Sequence, residues 1–91
     1  MQYSETSGFV RNIKRLPTQR KELVKESISK LVNFFETKQL SQGLGLKQLR
    51  PDIWEIRAGL LDRIVFRRQK DIVEFIIAGT HNEIKRFLKN L

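Results

Sequence analysis

The run DIWEIRAGLLDRIVFRRQKDIVEFIIAGTH, from Asp52 to His81, constrains the fold more than any other segment of the chain. Apolar and polar side chains alternate at period two over three short stretches, Ile53 to Arg57, Arg63 to Gln69 and Ile72 to Ala78, with turns at AGLLD and around RQKD. Successive side chains of a strand point to opposite faces, so the pattern predicts a three-strand meander. Trp54, Ile56, Ile64, Phe66, Val73, Phe75 and Ile77 share one apolar face. The other face carries Glu55, Arg57, Arg63, Val65, Arg67, Ile72, Glu74 and Ile76; it is mixed, strongly basic and expected to stay open. Beyond Gly79, Thr80 and Glu83 match a capping box, and Ile84, Phe87, Leu88 and Leu91 mark a short terminal helix.

The cover for the apolar face has to come from the N-terminal half. Gln2 to Glu5 reads as a short first strand. From Ser7, the expected N-cap, Phe9, Ile13 and Leu16 recur at helical spacing until Pro17 closes the segment. A second helix runs from about Thr18 to Lys38, with Val24, Ile28, Leu31 and Phe35 on one stripe and Leu23, Val32 and Phe34 widening it. These two form a helical hairpin, and TKQLSQGLGLKQLRP reads as the loop that leads to the meander. The expected architecture is α/β of the α+β kind: one domain over residues 1–91, a helical hairpin on a small antiparallel sheet, and a short C-terminal helix. Ninety-one residues suffice for one small core and not two.

Eighteen Lys and Arg against ten Asp and Glu give a formal net charge of +8, which favours a polyanionic partner: RNA, DNA or a very acidic protein. There is no cysteine and one histidine, so neither disulfides nor a transition-metal site is expected. No phosphate-cradling or dinucleotide motif occurs, GLGL being too short for one, and no cofactor is expected. No run of about eighteen apolar residues and no basic-then-apolar leader is present, so a soluble, cytoplasmic protein that avoids the membrane is the expectation.

Chemistry on this chain concentrates on the basic face. Arg57, Arg63 and Arg67, joined by Lys47 or Arg50 from the preceding loop, suit successive phosphates, because each guanidinium donates two parallel charge-assisted hydrogen bonds. The same residues also read as a sheet face kept soluble by charge. His81 stands where a strand ends and helix amides favour anions, within reach of a phosphate on that face; it reads equally as a surface histidine in a capping turn. Glu55 is a second proton-transfer candidate, or an ion-pair partner of Arg57 or Arg63. Trp54 belongs to the core by parity.

The order helix, helix, basic meander, terminal helix resembles the RelE/ParE superfamily of toxins from bacterial toxin–antitoxin pairs. LKQLRPDIWEIRAGLLDRIVF is similar to the family's L-K-x-L…x-W/Y-x-I-R…x-R-I-V-Y run, and IIAGTH to the strand end of the YafQ-like branch. The resemblance implies an endoribonuclease that cleaves mRNA on the ribosome without metal, held inactive by a cognate antitoxin in a hetero-oligomer. The alternatives are a ParE-like inhibitor of DNA gyrase without nuclease activity, and a non-toxic RNA-binding or decayed member of the family. Carried over, it puts Arg57 and Arg63 at the scissile phosphate and His81 at a catalytic position; Lys47, Arg50, Arg67 and Lys85 are the further RNA contacts expected on the basic surface. Relatives often hold a tyrosine in or before the last helix; here the aromatic is Phe87, which transfers no proton, and Glu55 or Lys85 is left to complete the acid/base pair. An acidic antitoxin segment is expected to bring its carboxylates to Arg63 and Arg67.

Overall fold

The computed structural model describes residues 1–91. The elements are β1 (Gln2–Glu5), α1 (Ser7–Lys14), α2 (Thr18–Thr37), β2 (Lys47–Arg50), β3 (Ile53–Ala58), β4 (Asp62–Gln69), β5 (Ile72–Thr80) and α3 (His81–Lys89). The five strands form one sheet in the order β1-β5-β4-β3-β2. β1 runs parallel to β5 and every other pair is antiparallel, so the α+β class holds while the sheet is mixed. β2 lies inside the stretch read as a loop. KQLR is four residues long with only Leu49 partly buried, too short and too polar to display a period.

α1 packs on β5, and α2 crosses β3 and β4. Thr6, not Ser7, caps α1: its hydroxyl accepts the Phe9 N–H at 3.0 Å, one residue earlier than the composition indicates. Between helices and sheet lie Phe9, Val24, Leu31, Leu44, Ile56, Ile64, Phe66, Val73 and Phe75. The rings of Phe9 and Phe66 flank Phe75 at centroid distances of 5.7 and 6.1 Å, the offset contacts aromatic quadrupoles favour.

One irregularity changes the reading of β5. Val65 pairs with Ile77 and Phe66 with Phe75, so Ile76 is the extra residue of a bulge. Side chains of the N-terminal segment take up polar groups there: the hydroxyl of Thr6, the N-cap of α1, reaches the Ile76 carbonyl at 3.4 Å, and Asn12 Oδ1 within α1 accepts the Ala78 N–H at 2.6 Å. Past the bulge the parity reverses. Ala78 turns toward the helical hairpin, and Ile77, expected there, turns to the opposite face.

That opposite face is not left open. Ile84 of α3 is buried on Ile53 and Val65, with Leu49, Ile76, Ile77 and Leu88 packed around them. The apolar residues that strict alternation scattered among the arginines are the seat of the terminal helix. Its start is a complete capping box: the Thr80 hydroxyl accepts the Glu83 N–H at 3.3 Å, and Glu83 Oε1 accepts the Thr80 N–H at 2.9 Å. Those hydrogen bonds hold the Glu83 carboxyl below its ordinary pKa, aided by Arg20 and Arg86. A carboxylate depressed on folding stabilises the native state above the unfolded pKa and loses that contribution as pH falls through the folded one. Acid titration of the wild type followed by helix-sensitive circular dichroism is therefore expected to loosen α3 below the usual carboxylate range. Glu83→Gln should flatten that acid limb, and Thr80→Ala should cost about 1 kcal/mol at neutral pH. An unchanged acid limb in Glu83→Gln would show that the box does not set it.

Candidate functional site

β3 and β4 pair in a register that sets Arg57 opposite Arg63, and β4 with β5 sets Arg63 opposite Gly79. Two guanidinium-bearing side chains thus start from directly facing positions on the side covered by α3, at the end of the sheet where that helix begins. Arg57 is held by its backbone: its N–H donates to the Leu44 carbonyl at 2.8 Å, and its carbonyl accepts the buried Ser27 hydroxyl at 2.7 Å. Its side chain is exposed and enters no ion pair, although it lies against Gly45. A Cβ at Gly45 would stand 2.8 Å from Arg57 Cγ, and Gly45 has φ +64, so the GLGL sequence provides both the turn and the room for this arginine.

Arg63 is tied differently. Its Nε lies 3.4 Å from Glu55 Oε2, with the side chains 22% and 12% exposed. The approach counts as an ion pair by distance, yet Nε is the one buried side-chain polar atom without a hydrogen bond, so charge and not a directed bond holds the pair. An acceptor that reaches this N–H recovers the cost of leaving it unpaired. Glu55 is thereby Arg63's partner and not Arg57's. Lys47 pairs with Glu55 across β2 and β3, exposed and without an ion pair of its own.

Two of the expected phosphate contacts are occupied. Arg50 Nη2 donates to the Leu88 carbonyl at 2.7 Å, satisfying an orphan acceptor at the end of α3. Arg67 sits between Asp52 and Glu74, at 3.3 and 3.5 Å. Lys85 is exposed on α3, where Asn82, Lys85, Arg86 and Lys89 line a shallow depression of about 420 Å³ without an apolar residue.

His81 is the first residue of α3, exposed, and no hydrogen bond or ion pair joins it to Arg57, Arg63 or Glu55. The α3 side chain that lies on Gly79 is Glu83, whose Oε1 would be 3.1 Å from a Cβ there. Two residues are about 200° of helix, so His81 and Lys85 occupy the flank away from Glu83. The structure therefore sets Arg57 and Arg63 at facing strand positions, with His81 at the start of α3, two residues beyond Gly79, and joined to neither by a hydrogen bond or ion pair. No three histidine or carboxylate side chains gather as a metal site. Behind the arginine pair, Asp62 at the start of β4 is 1% exposed and accepts Arg20 Nε and Nη2 of α2 at 2.8 and 2.6 Å. The hydrogen bonds to Asp62 push the Arg20 guanidinium pKa further up. Nothing in the local pattern around Asp62 marked it as buried, since its pairing partner lies 42 residues away.

No known protein family's sequence profile matches the chain, and no curated protein is significantly similar in sequence. Similarity is found among solved structures. A chain of the RelB–RelE antitoxin–toxin complex from Methanococcus jannaschii superposes with a TM-score of 0.65 at 17% identity, covering 96% of this chain and 98% of that one. The E. coli DinJ–YafQ toxin–antitoxin complex gives 0.73 at 12% identity, covering 91% and 94%. A YoeB/ParE toxin from Agrobacterium tumefaciens gives 0.66 at 19% identity, covering 89% and 99%. The chain shares the fold of these structures over nearly its whole length.

Proposed function

We propose that this chain is the toxin of a toxin–antitoxin pair and acts as an endoribonuclease on mRNA at the ribosome, in the cytoplasm, under the control of a cognate antitoxin. Structures of the same fold occur as toxin–antitoxin complexes, which supports the pairing. The nuclease reading rests on one observation: Arg57 is exposed, unpaired and backbone-anchored directly opposite Arg63, as a phosphate clamp requires. In metal-free cleavage the 2′-oxygen forms a bond to the adjacent phosphorus as the bond to the 5′-oxygen breaks. One group removes the 2′-proton, another protonates the leaving oxygen, and cations meet the charge gathering on phosphate. Arg57 and Arg63 take the cation role, with Lys47 beside them. His81, whose imidazole can both donate and accept a proton, takes one of the proton-transfer roles, and Glu55 or Lys85 takes the other.

Incubation with translating ribosomes, followed by mapping of mRNA ends, tests the activity. His81→Ala is expected to abolish cleavage and growth arrest while shifting unfolding free energy by less than about 1 kcal/mol, as for an exposed residue. Full cleavage by that variant would remove His81 from the mechanism. A second reading, inhibition of DNA gyrase without cleavage, is favoured by the lack of any hydrogen bond or ion pair joining His81 to Arg57, Arg63 or Glu55. A supercoiling assay on the same preparation separates the two.

A further inference from the structure

Two apolar grooves open beside α2, and their charges differ. One, of about 540 Å³, lies along β1 between the helices and is lined by Tyr3, Glu5, Val10, Ile28, Val32 and Phe75. It is an acidic surrounding: Glu5 lines it, and Glu36 lies close enough to Tyr3 to help burial push its phenol pKa up. The other, of about 170 Å³, is lined by Phe34, Phe35, Leu46, Trp54, Phe66 and Arg68. Its rim is cationic. Arg68 is exposed, stands 5.0 Å from the centre of the Phe35 ring, and makes no ion pair. Stacking on an aromatic face fixes the guanidinium without consuming its hydrogen-bond donors.

We infer that the Arg68 groove is the anchor site for an acidic partner segment, taking one leucine- or phenylalanine-sized side chain against Trp54 while a neighbouring carboxylate meets Arg68. This rests on the toxin–antitoxin reading and gives that partner a location. The carboxylates of such a segment have no open cation at Arg63 or Arg67, each of which already faces a carboxylate of its own chain, and the open Arg57 lines neither apolar groove. The β1 groove repels them. The Arg68 groove combines an unpaired cation with an apolar slot, the pairing of central apolar anchor and polar rim by which protein segments bind. Size and lining also favour a protein side chain over a nucleobase. Arg68 is the only polar lining residue, so the hydrogen-bonding edge of a base would be buried unpaired. Trp54 and Phe66 lie on the face opposite Arg57 and Arg63, so the anchor holds the partner without itself filling the clamp.

Trp54 is the only tryptophan and lines the groove, so its emission reports occupancy directly. The probe is the purified product of any small reading frame that adjoins this chain's gene, titrated into this 91-residue chain. The expected result is a saturable blue shift of Trp54 emission, with Arg68→Glu weakening binding at least tenfold and Arg67→Ala leaving it within twofold. Calorimetry follows the same titration independently of fluorescence. Binding with no change in Trp54 emission and no effect of Arg68→Glu overturns the anchor site while leaving the toxin–antitoxin reading intact. Absence of any binding overturns both. A shift produced by a single-stranded RNA 20-mer and not by the protein also overturns the anchor site, assigning the groove to the substrate.

Discussion

Arg20→Ala is expected to lower the unfolding free energy by about 3 to 5 kcal/mol, the largest loss from any single polar substitution in this chain. Asp62 is 1% exposed and Arg20 27%, so removing the arginine strands a carboxylate in the interior while removing the carboxylate leaves a cation that can turn to water. The asymmetry is itself a test: Asp62→Ala should cost less than Arg20→Ala. The paired replacement Arg20→Met with Asp62→Leu should recover most of the loss, since a buried ion pair stabilises little relative to well-packed apolar groups. Domains of this size have roughly 5 to 15 kcal/mol in hand, so Arg20→Ala should be partly unfolded at moderate temperature. Urea unfolding of the four proteins measures all of this. A loss below about 1 kcal/mol in Arg20→Ala would mean that solvent reaches Asp62 in solution.

The elements that local periodicity can express were legible in the sequence. α2 carries its apolar stripe over twenty residues, Trp54 and Ile56 of β3 and Ile64 and Phe66 of β4 recur at period two, and Thr80 and Glu83 announce the start of α3. What was not legible depends on contacts distant in sequence. The bulge at Ile76 is accompanied by bonds from Thr6 and Asn12, about seventy residues away, and only those partners reveal why Ile77 leaves the hairpin face. β2 is held by pairing with β3 and not by its own composition. The same distinction applies to the candidate site. Residue type identified Arg57 and Arg63, and parity placed them on one face. Residue type could not tell which arginines were already engaged, because Glu55, Asp52, Glu74 and the Leu88 carbonyl reach Arg63, Arg67 and Arg50 through register and helix placement. Gly45 appeared as part of a loop, and its service to Arg57 emerges only when that loop lies on β3.

Those commitments rank the arginines, and the ranking is testable. Arg57→Ala should reduce the cleavage rate by about 2 to 4 kcal/mol of transition-state stabilisation, roughly 30- to 1,000-fold, because this guanidinium is free and aimed from a backbone bonded at both N–H and carbonyl. Arg63→Ala should fall in the same range, but with an added stability loss from leaving Glu55, 12% exposed, without its cation. Arg67→Ala should change the rate by less than about threefold, since a guanidinium already shared by two carboxylates contributes little to a developing phosphate charge. Gly45→Ala separates position from charge. It keeps Arg57 but forces a methyl group to 2.8 Å from its Cγ at φ +64, so cleavage should fall while the arginine's charge remains, with about 1 to 2 kcal/mol of backbone strain appearing in stability. Single-turnover rates on ribosome-bound mRNA distinguish these outcomes from changes in binding. If Arg57→Ala and Arg67→Ala lose activity equally, the free side chain and the neutralised one are doing the same thing, and the cross-strand pair is not the clamp. If neither loses cleavage because the wild type cleaves nothing, the same variants assayed on gyrase decide whether this surface inhibits supercoiling instead.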